Sequence, residues 1–405
     1  MAATHAPRDE ADLVEIVRAA RGARETLAIE GRGTRRALGR PVEADATLSL
    51  AGLSGITLYE PAELVMTALP GTPIAEIRAT LAARGQELAF DPIDHAALFG
   101  HEPGAGSIGG AFAVNASGPR RPKLGAARDH LLGFRAVNGL GESFKSGGRV
   151  MKNVTGFDLS KVVCGSFGTL VAVSELTFKV MPRAETCETV AVLGLDDEAA
   201  GRLMREATGL PQEVDAAAHL PAGVDGPFHG TSVTLIRLDG PAVSVASREA
   251  DLVARWRGLG TVEILGEDES RALWASIREA APIAGHAGSI WRLSLAPSDG
   301  PAVVAALREA HVACDAWFYD WAGGLVWLAV AAYAGPEAER IRAIVERFGG
   351  HATLVRALET DRAAVPVFHP QPAPLAALAA RVKSAFDPEG LFSPGRMVAI
   401  PNPAR

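Results

Sequence analysis

The chain has 405 residues, 48% of them hydrophobic and 21% charged, and 47 acidic against 40 basic side chains leave a net charge of −7. That length predicts two or three domains at roughly one per 100 to 200 residues, and the ordinary composition excludes a disordered or fibrous chain. With no long basic run to neutralise a phosphate backbone, a nucleic-acid partner is excluded as well.

The opening residues, MAATHAPRDEADLVEIVRAAR, are partly acidic and helical in period, with no apolar signal core, which predicts a cytoplasmic protein. A helix over Glu10 to Arg21 is followed by short apolar runs at Leu27 to Ile29, Thr47 to Leu50 and Val65 to Leu69. Pro73 then opens a helix through Arg84 that Gly85 ends, so the stretch reads as a small α/β unit. Fifteen of the 43 glycines fall between Gly100 and Gly168, among β-type runs such as LLGFRAV and TLVAVSELTFKV. Glycines at that density mark turns and bulges, or a backbone that a ligand approaches closely.

From Met181 a Pro- and Glu-containing linker leads to Ala-rich helices at Asp197 to Thr208, Gly240 to Gly258, Glu267 to Ala281, Pro301 to His311 and Pro336 to Phe348. Strands at Ser232 to Leu238, Ile290 to Leu295, Ala316 to Asp320 and Leu325 to Ala331 alternate with them, which predicts an α+β sandwich with an antiparallel sheet. The strongest apolar window, Leu325 to Ala334, is far short of the ~20 residues of a membrane-crossing helix, so no transmembrane segment is expected. Cys164, Cys187 and Cys314 are far apart and odd in number, so neither a disulfide framework nor an iron–sulfur cluster held by this chain is expected.

The loop Gly31-Arg32-Gly33-Thr34-Arg35 directly follows the strand LAIE. Its glycines allow N–H groups to converge on an anion while Thr34 and the arginines add a hydroxyl and charge, which suits a pyrophosphate; a plain strand-ending turn fits the same five residues. Gly104 to Gly109 spell GxGxxG, but no buried strand precedes them and no acidic residue follows ~20 positions on, as a nicotinamide dinucleotide site requires. GLGESFKS at residues 139 to 146 is not a P-loop either, because Phe144 stands where the glycine before the lysine belongs.

In order the chain gives GRGTR, the turn PGT at Pro70 to Thr72, PGAGSIGGAFAVNASGPRR, GAARDHLLGFRAV and GGRVMKNVTGFDLSKVVCGSFGTLVAVSELTFKVMP. This succession resembles the FAD domain of the vanillyl-alcohol oxidase family, also called the p-cresol methylhydroxylase type. Within that family it is similar to the small flavin subunits of bacterial glycolate oxidases, to which GGRVMKNVTGFD is the most specific stretch. WRLSL, DWAGG at Asp320 to Gly324 and FDPEGLFSPGRM extend the likeness.

The resemblance implies an α+β protein with a two-subdomain FAD-binding domain over residues 1–184 and an α+β cap domain over 185–370. A C-terminal segment over 371–405 would pack back on the first domain. Gly31, Arg32, Gly33, Thr34 and Arg35 would wrap the FAD pyrophosphate, and Pro70, Gly71 and Thr72 would stand beside the cofactor. Ser107, Ile108, Gly109 and Gly110, with Asn115, Ser117 and Gly118, would follow the ribityl chain and flavin. The backbone of Gly168, Thr169, Leu170 and Val171 would meet the adenine side or the ring. Relatives that attach FAD covalently often carry a histidine in the first loop; Thr34 stands there, so non-covalent FAD is implied. Arg128 and Asp129 read as an ion pair fixing a loop rather than as cofactor contacts. Lys152 and Asn153 either line the flavin edge or cap a turn.

Oxidising a 2-hydroxyacid needs a hydride acceptor, a base for the hydroxyl proton and a cation for the carboxylate. Arg237 and Arg292, on cap strands, are candidate carboxylate ligands, and a surface salt bridge is the alternative for either. His351 and His369 are candidate single bases. No two histidines stand at a metal-ligand spacing, and the metal-binding motif that the resemblance assigns to the larger catalytic flavin subunits is absent, so no metal is expected. The implied function is an FAD-binding subunit of a glycolate oxidase complex that converts glycolate to glyoxylate and passes electrons from flavin to a partner redox centre. The alternative is a non-catalytic flavin relay or assembly subunit beside a separate catalytic flavin subunit. Either way the implied partners are a catalytic flavin subunit and an iron–sulfur subunit, at the cytoplasmic face of the membrane.

Overall fold

The computed structural model describes residues 3–149 and 157–400, so Lys152 and Asn153 lie outside the described residues. Two compact units divide the chain: one of Met1–Ser117, Gly125–Arg183 and Pro370–Arg405, the other of Gly118–Leu124 and Ala184–His369.

In the first unit the helix Glu10–Ala23 starts where the Asp9 carboxylate accepts the Asp12 amide at 2.8 Å. It stops at Arg24, which turns left-handed at φ 55°. Its buried stripe, Leu13, Val17 and Ala20, has the spacing of one helix face and packs with Leu27, Leu48, Val137 and Phe392. The strands Ala3–His5, Ala46–Ser49 and Leu27–Glu30 form a parallel sheet in that order. A five-stranded antiparallel sheet runs Ile56–Glu60, Val65–Ala68, Ala172–Lys179, Leu131–Val137, Ser143–Gly147. The helix Ile74–Ala82 and the short helix Ile108–Ala113 bury Ile74, Ile77, Leu81, Ile108 and Phe112 in a core with Met66, Phe90, Phe134 and Phe178.

The C-terminal stretch adds an edge to this unit. The Leu27 amide donates to Leu391 O and the Ser393 amide to Leu27 O, each at 2.8 Å, with Phe392 fully buried between them. Asp387 makes the turn: its carboxylate accepts the amides of Leu391 at 3.0 Å and Phe392 at 2.8 Å, and also the Lys383 ammonium.

The second unit is built on one antiparallel eight-stranded sheet. Its order is Thr261–Leu265, Thr186–Leu193, Val233–Gly240, Ala216–Leu220, Cys314–Asp320, Leu325–Val330, Ile290–Ser294, His351–Arg356. Along the chain a strand–helix–strand–strand–helix–strand pattern occurs twice, with helices Asp197–Gly209 and Ala242–Trp256 in the first half and Gly300–Glu309 and Ala338–Arg347 in the second. The halves meet where His219 pairs with Tyr319. The α+β class and the antiparallel cap sheet are as the sequence led us to expect. The residues after Met181, read as a linker, differ: Thr186–Leu193 is a strand paired on both sides. Ala216–Leu220 was not anticipated either, because all five residues are buried and the alternation that signals a strand is lost. The helix expected to reach Ala281 ends at Arg278, just before Ala280 turns left-handed at φ 53°.

Candidate functional site

A groove of about 930 Å³ lies within the first unit. Three glycine-bearing segments form one side of it, and a Cβ on a glycine of each would meet a side-chain hydroxyl or a carbonyl oxygen at close range. A Cβ on Gly31 would stand 2.3 Å from Ser107 Oγ, one on Gly109 would stand 2.7 Å from Pro70 O, and one on Gly71 would stand 2.5 Å from both Leu50 O and Ala51 O. Gly33 turns left-handed at φ 75°. Ser107 then caps the helix Ile108–Ala113, its Oγ accepting the Gly110 amide at 3.3 Å.

Among the described residues, the amides of Gly31, Arg32, Gly33 and Thr34 have no acceptor in the protein. Four consecutive unclaimed donors in a turn with one left-handed glycine form an anion nest. Three guanidiniums surround it, each anchored by the protein. Arg36 makes a two-pronged contact with Glu30 at 2.8 and 2.6 Å, which raises its pKa further above the arginine value. Arg32 Nε donates to Ala105 O at 3.0 Å, and Arg35 Nη2 donates to Ile93 O at 2.7 Å and stands 3.8 Å from Asp94. The far wall is apolar, with Phe112, Leu131, Val163, Val171, Val173 and Leu176. Charge-seeking amides at one end and flat apolar surface beyond fit a dinucleotide that carries a pyrophosphate and an aromatic ring system.

Of the residues singled out in the sequence, Gly31 to Arg35, Pro70, Ser107, Gly109, Gly110, Gly168 and Val171 line this groove. Gly71 and Thr72 stand behind it, where Thr72 Oγ1 donates to Leu69 O at 2.7 Å and accepts the Gly55 amide at 2.9 Å. Ile108 and Leu170 are buried in the core. Thr169 Oγ1 donates to Ser166 O at 2.7 Å, and its carbonyl accepts Lys383 Nζ at 2.6 Å. Asn115, left-handed at φ 51°, accepts the Arg128 amide at 3.1 Å, and Ser117 Oγ accepts the Ala127 amide at 2.9 Å. Both side chains hold a turn. Gly118 belongs to the second unit, where its carbonyl accepts Trp321 Nε1 at 3.0 Å. Arg128 and Asp129 stand 4.0 Å apart; the closer partner of Asp129 is Lys161 at 2.8 Å.

The sequence reading missed Asp94, Phe112, Cys164 and Arg396. Asp94 accepts the amides of Gly104 at 2.7 Å and Gly106 at 3.1 Å. The two glycines that open the GxGxxG pattern are therefore turned onto a carboxylate. Arg396 lines the groove and reaches three loop carbonyls. Buried Cys164 donates to Phe112 O at 3.0 Å, and burial pushes its thiol up to about 12.

The two arginines on the cap strands differ. Arg237 is buried, donating from Nε to Asp239 at 2.9 Å, while Asp239 also accepts Arg120 at 3.3 Å. Its charge is therefore answered inside the protein. Among the described residues Arg292 has no hydrogen bond or ion pair, and its buried Nε lacks an acceptor. His369 accepts the Ala352 amide at 3.3 Å and stands 3.4 Å from Glu346. His351 keeps solvent access, and partial burial of its ring, then Arg292, His369 and Arg121, hold its imidazole below the usual range. Among the described residues no group of three acidic, histidine or cysteine side chains could hold a metal ion, and no helix is long and apolar enough to cross a membrane.

A family model described as FAD binding domain matches residues 1–147. Glycolate oxidase subunit GlcE of Escherichia coli K12 is 36% identical over 389 residues, covering 96% of this chain and 97% of that one. Glycolate oxidase subunit GlcD of Bacillus subtilis is 27% identical over 258 residues, 59% of this chain and 52% of that one. Among solved structures, p-cresol methylhydroxylase superposes with a TM-score of 0.66 at 14% identity, over 98% of this chain and 89% of that one, and so shares the fold. With more than a third of its residues shared across nearly the whole of both chains, the protein belongs to the family of glycolate oxidase subunit GlcE, FAD-linked oxidoreductases with a p-cresol methylhydroxylase-type fold.

Proposed function

We propose that the chain is the FAD-binding subunit of an assembly that oxidises glycolate, or a closely similar 2-hydroxyacid, to the 2-oxoacid, and that it works with a catalytic flavin subunit and an iron–sulfur subunit at the cytoplasmic face of the membrane. The observation that carries this reading is the nest of four unclaimed amides, Gly31 to Thr34, opening onto an apolar groove in a chain so similar to a glycolate oxidase subunit. In this reading the nest and the surrounding arginines hold the pyrophosphate, and the apolar wall excludes water from the ring system. FAD, when bound, supplies the hydride acceptor. The cofactor is held without a covalent bond, since the nest offers amides and Thr34 where covalently flavinylated relatives often have a histidine.

The test is to purify the full chain, record its visible flavin spectrum and precipitate it with acid. A flavin spectrum that moves wholly to the supernatant supports non-covalent FAD. A chain that neither copurifies with flavin nor takes it up on reconstitution refutes the proposal. Anaerobic glycolate, added to the chain alone and then together with its partner subunits, separates turnover at this flavin from relay: bleaching of the isolated chain assigns the chemistry to it, and bleaching only in the assembly assigns relay.

A further inference from the structure

Within the second unit two guanidiniums gather at one indole. Arg121 Cζ lies 4.4 Å and Arg292 Cζ 4.9 Å from the centroid of the Trp321 ring. The residue is held at ring and backbone: Nε1 donates to Gly118 O at 3.0 Å, and the Trp321 amide donates to Asp320 Oδ1 at 2.7 Å. Trp321 and Ala322 both hold left-handed backbone, at φ 52° and 57°, a conformation that residues with a Cβ adopt only where their surroundings enforce it.

Arg292 projects from the strand Ile290–Ser294 on the face opposite Trp291 and Leu293, which belong to the main core of the unit. Thr353 and Trp327 flank it in register on the neighbouring strands. Among the described residues it has no hydrogen-bond acceptor and no ion pair, although its Nε is closed off from solvent. Arg237, on a strand of the same sheet, differs: its Nε is met by Asp239 at 2.9 Å. The indole face attracts a cation but accepts none of the guanidinium N–H groups in their own plane. Burial, and then the repulsion of Arg121, bring the Arg292 pKa down to about 10. Asp320 acts in the opposite direction, and a small anion seated in the fork would add to its effect.

We propose that Arg292, with Arg121 and the Trp321 ring, is the binding site of a small carboxylate of the 2-hydroxyacid class. A planar guanidinium fork matches a planar carboxylate through two parallel bonds. The same fork also accepts a phosphate through two bonds, so inorganic phosphate is the competing ligand in the test. The inference deepens the proposed function and rests on it for the choice of acid; the arginine cluster is independent of the flavin groove.

The test uses the full chain loaded with FAD, titrated with sodium glycolate at constant chloride and followed by calorimetry and indole fluorescence. Glycolate should bind, and Arg292→Met should weaken it by on the order of ten- to a hundred-fold. Arg292→Lys, which keeps the charge and loses the fork, should recover only part of that loss. Arg202→Met, at an exposed Glu198 pair, should leave binding unchanged, and flavin absorbance per chain should be equal in all variants. Glycolate binding that is as tight in Arg292→Met or Arg292→Lys as in the parent overturns the proposal, as does inorganic phosphate binding more tightly than glycolate. If Arg292→Met does not fold, Arg292→Lys decides. Calorimetry reads the anion whether or not flavin is present. A chain without FAD that binds glycolate through Arg292 therefore fails only the proposed function, and an FAD-loaded chain that binds no glycolate fails only this inference.

Discussion

Arg396, nine residues from the C-terminus, places its Nη1 3.0 Å from the carbonyl oxygen of Leu38, near the N-terminus. The same nitrogen stands 3.0 Å from Arg36 O and 3.2 Å from Arg40 O, and the side chain is buried. One guanidinium therefore ties down the stretch that follows the amide nest. Arg396→Met should leave the buried Leu38 carbonyl without its guanidinium donor, cost roughly 1–3 kcal/mol, and lower FAD retention on dilution along with the melting temperature. A melting temperature that falls while FAD retention stays at the parent level would confine Arg396 to stability.

Gly109 stands where a backbone allows no side chain, since an added Cβ would meet Pro70 O and Pro70 Cβ at 2.7 Å. The obstacle is a carbonyl and a ring rather than the end of a flexible side chain, so the helix Ile108–Ala113 must shift. Gly109→Ala is expected to destabilise by about 1–3 kcal/mol and to lower flavin occupancy. Gly148→Ala, where nothing lies within 4 Å of the added Cβ, is the control and should change neither. Chemical denaturation and the ratio of flavin to protein absorbance check both.

These cases show what was legible in the chain. The loop Gly31 to Arg35 could be singled out by its two glycines directly after a strand, and Gly109 through the family resemblance; both line the groove. Arg396 and Asp94 could not, because their roles depend on partners far away in the chain or on a turn whose direction no local pattern states. The strand Ala216–Leu220 was lost for a different reason: a sheet covered on both faces erases the alternation by which strands are recognised. Arg292 was named as one of two equivalent arginines, and only the surroundings divided them. Arg237 meets Asp239, and Arg292 meets an indole.

Glu249, on the helix Ala242–Trp256, has its carboxyl pushed up to about 7, first by burial and then by the hydrogen-bonded carboxyl of Glu188. In the unfolded chain a glutamate titrates near ~4.3. Between those values the folded state holds a proton that the unfolded state has lost, so this group's contribution to stability is full at lower pH and declines as pH rises toward 7. Glu249→Gln should remove that slope, because the amide cannot ionise and still donates to Glu188. Thermal melts of parent and variant across this range check it, and parallel curves would place the pH dependence elsewhere.

Asp94 answers the one nucleotide motif that the sequence displays without using. Its two oxygens accept the amides of Gly104 and Gly106, and its Oδ1 stands 3.8 Å from Arg35 Nη2. A Cβ on Gly106 would fall 2.1 Å from that same oxygen, so the carboxylate occupies the position where a phosphate would have to approach these amides. Asp94→Ala should therefore act in two directions. It frees the amides of Gly104 and Gly106 and removes the carboxylate beside Arg35, which should cost about 2–4 kcal/mol and weaken FAD retention through the loop that Arg35 closes. It should not create nicotinamide binding, because the motif still lacks the strand and the acidic ribose ligand that a dinucleotide site needs. Fluorescence titration with reduced nicotinamide dinucleotide distinguishes the two readings of the glycines. Binding gained by Asp94→Ala would mean that the carboxylate masks a real site, and no binding with reduced FAD retention would mean that these glycines serve the flavin groove alone.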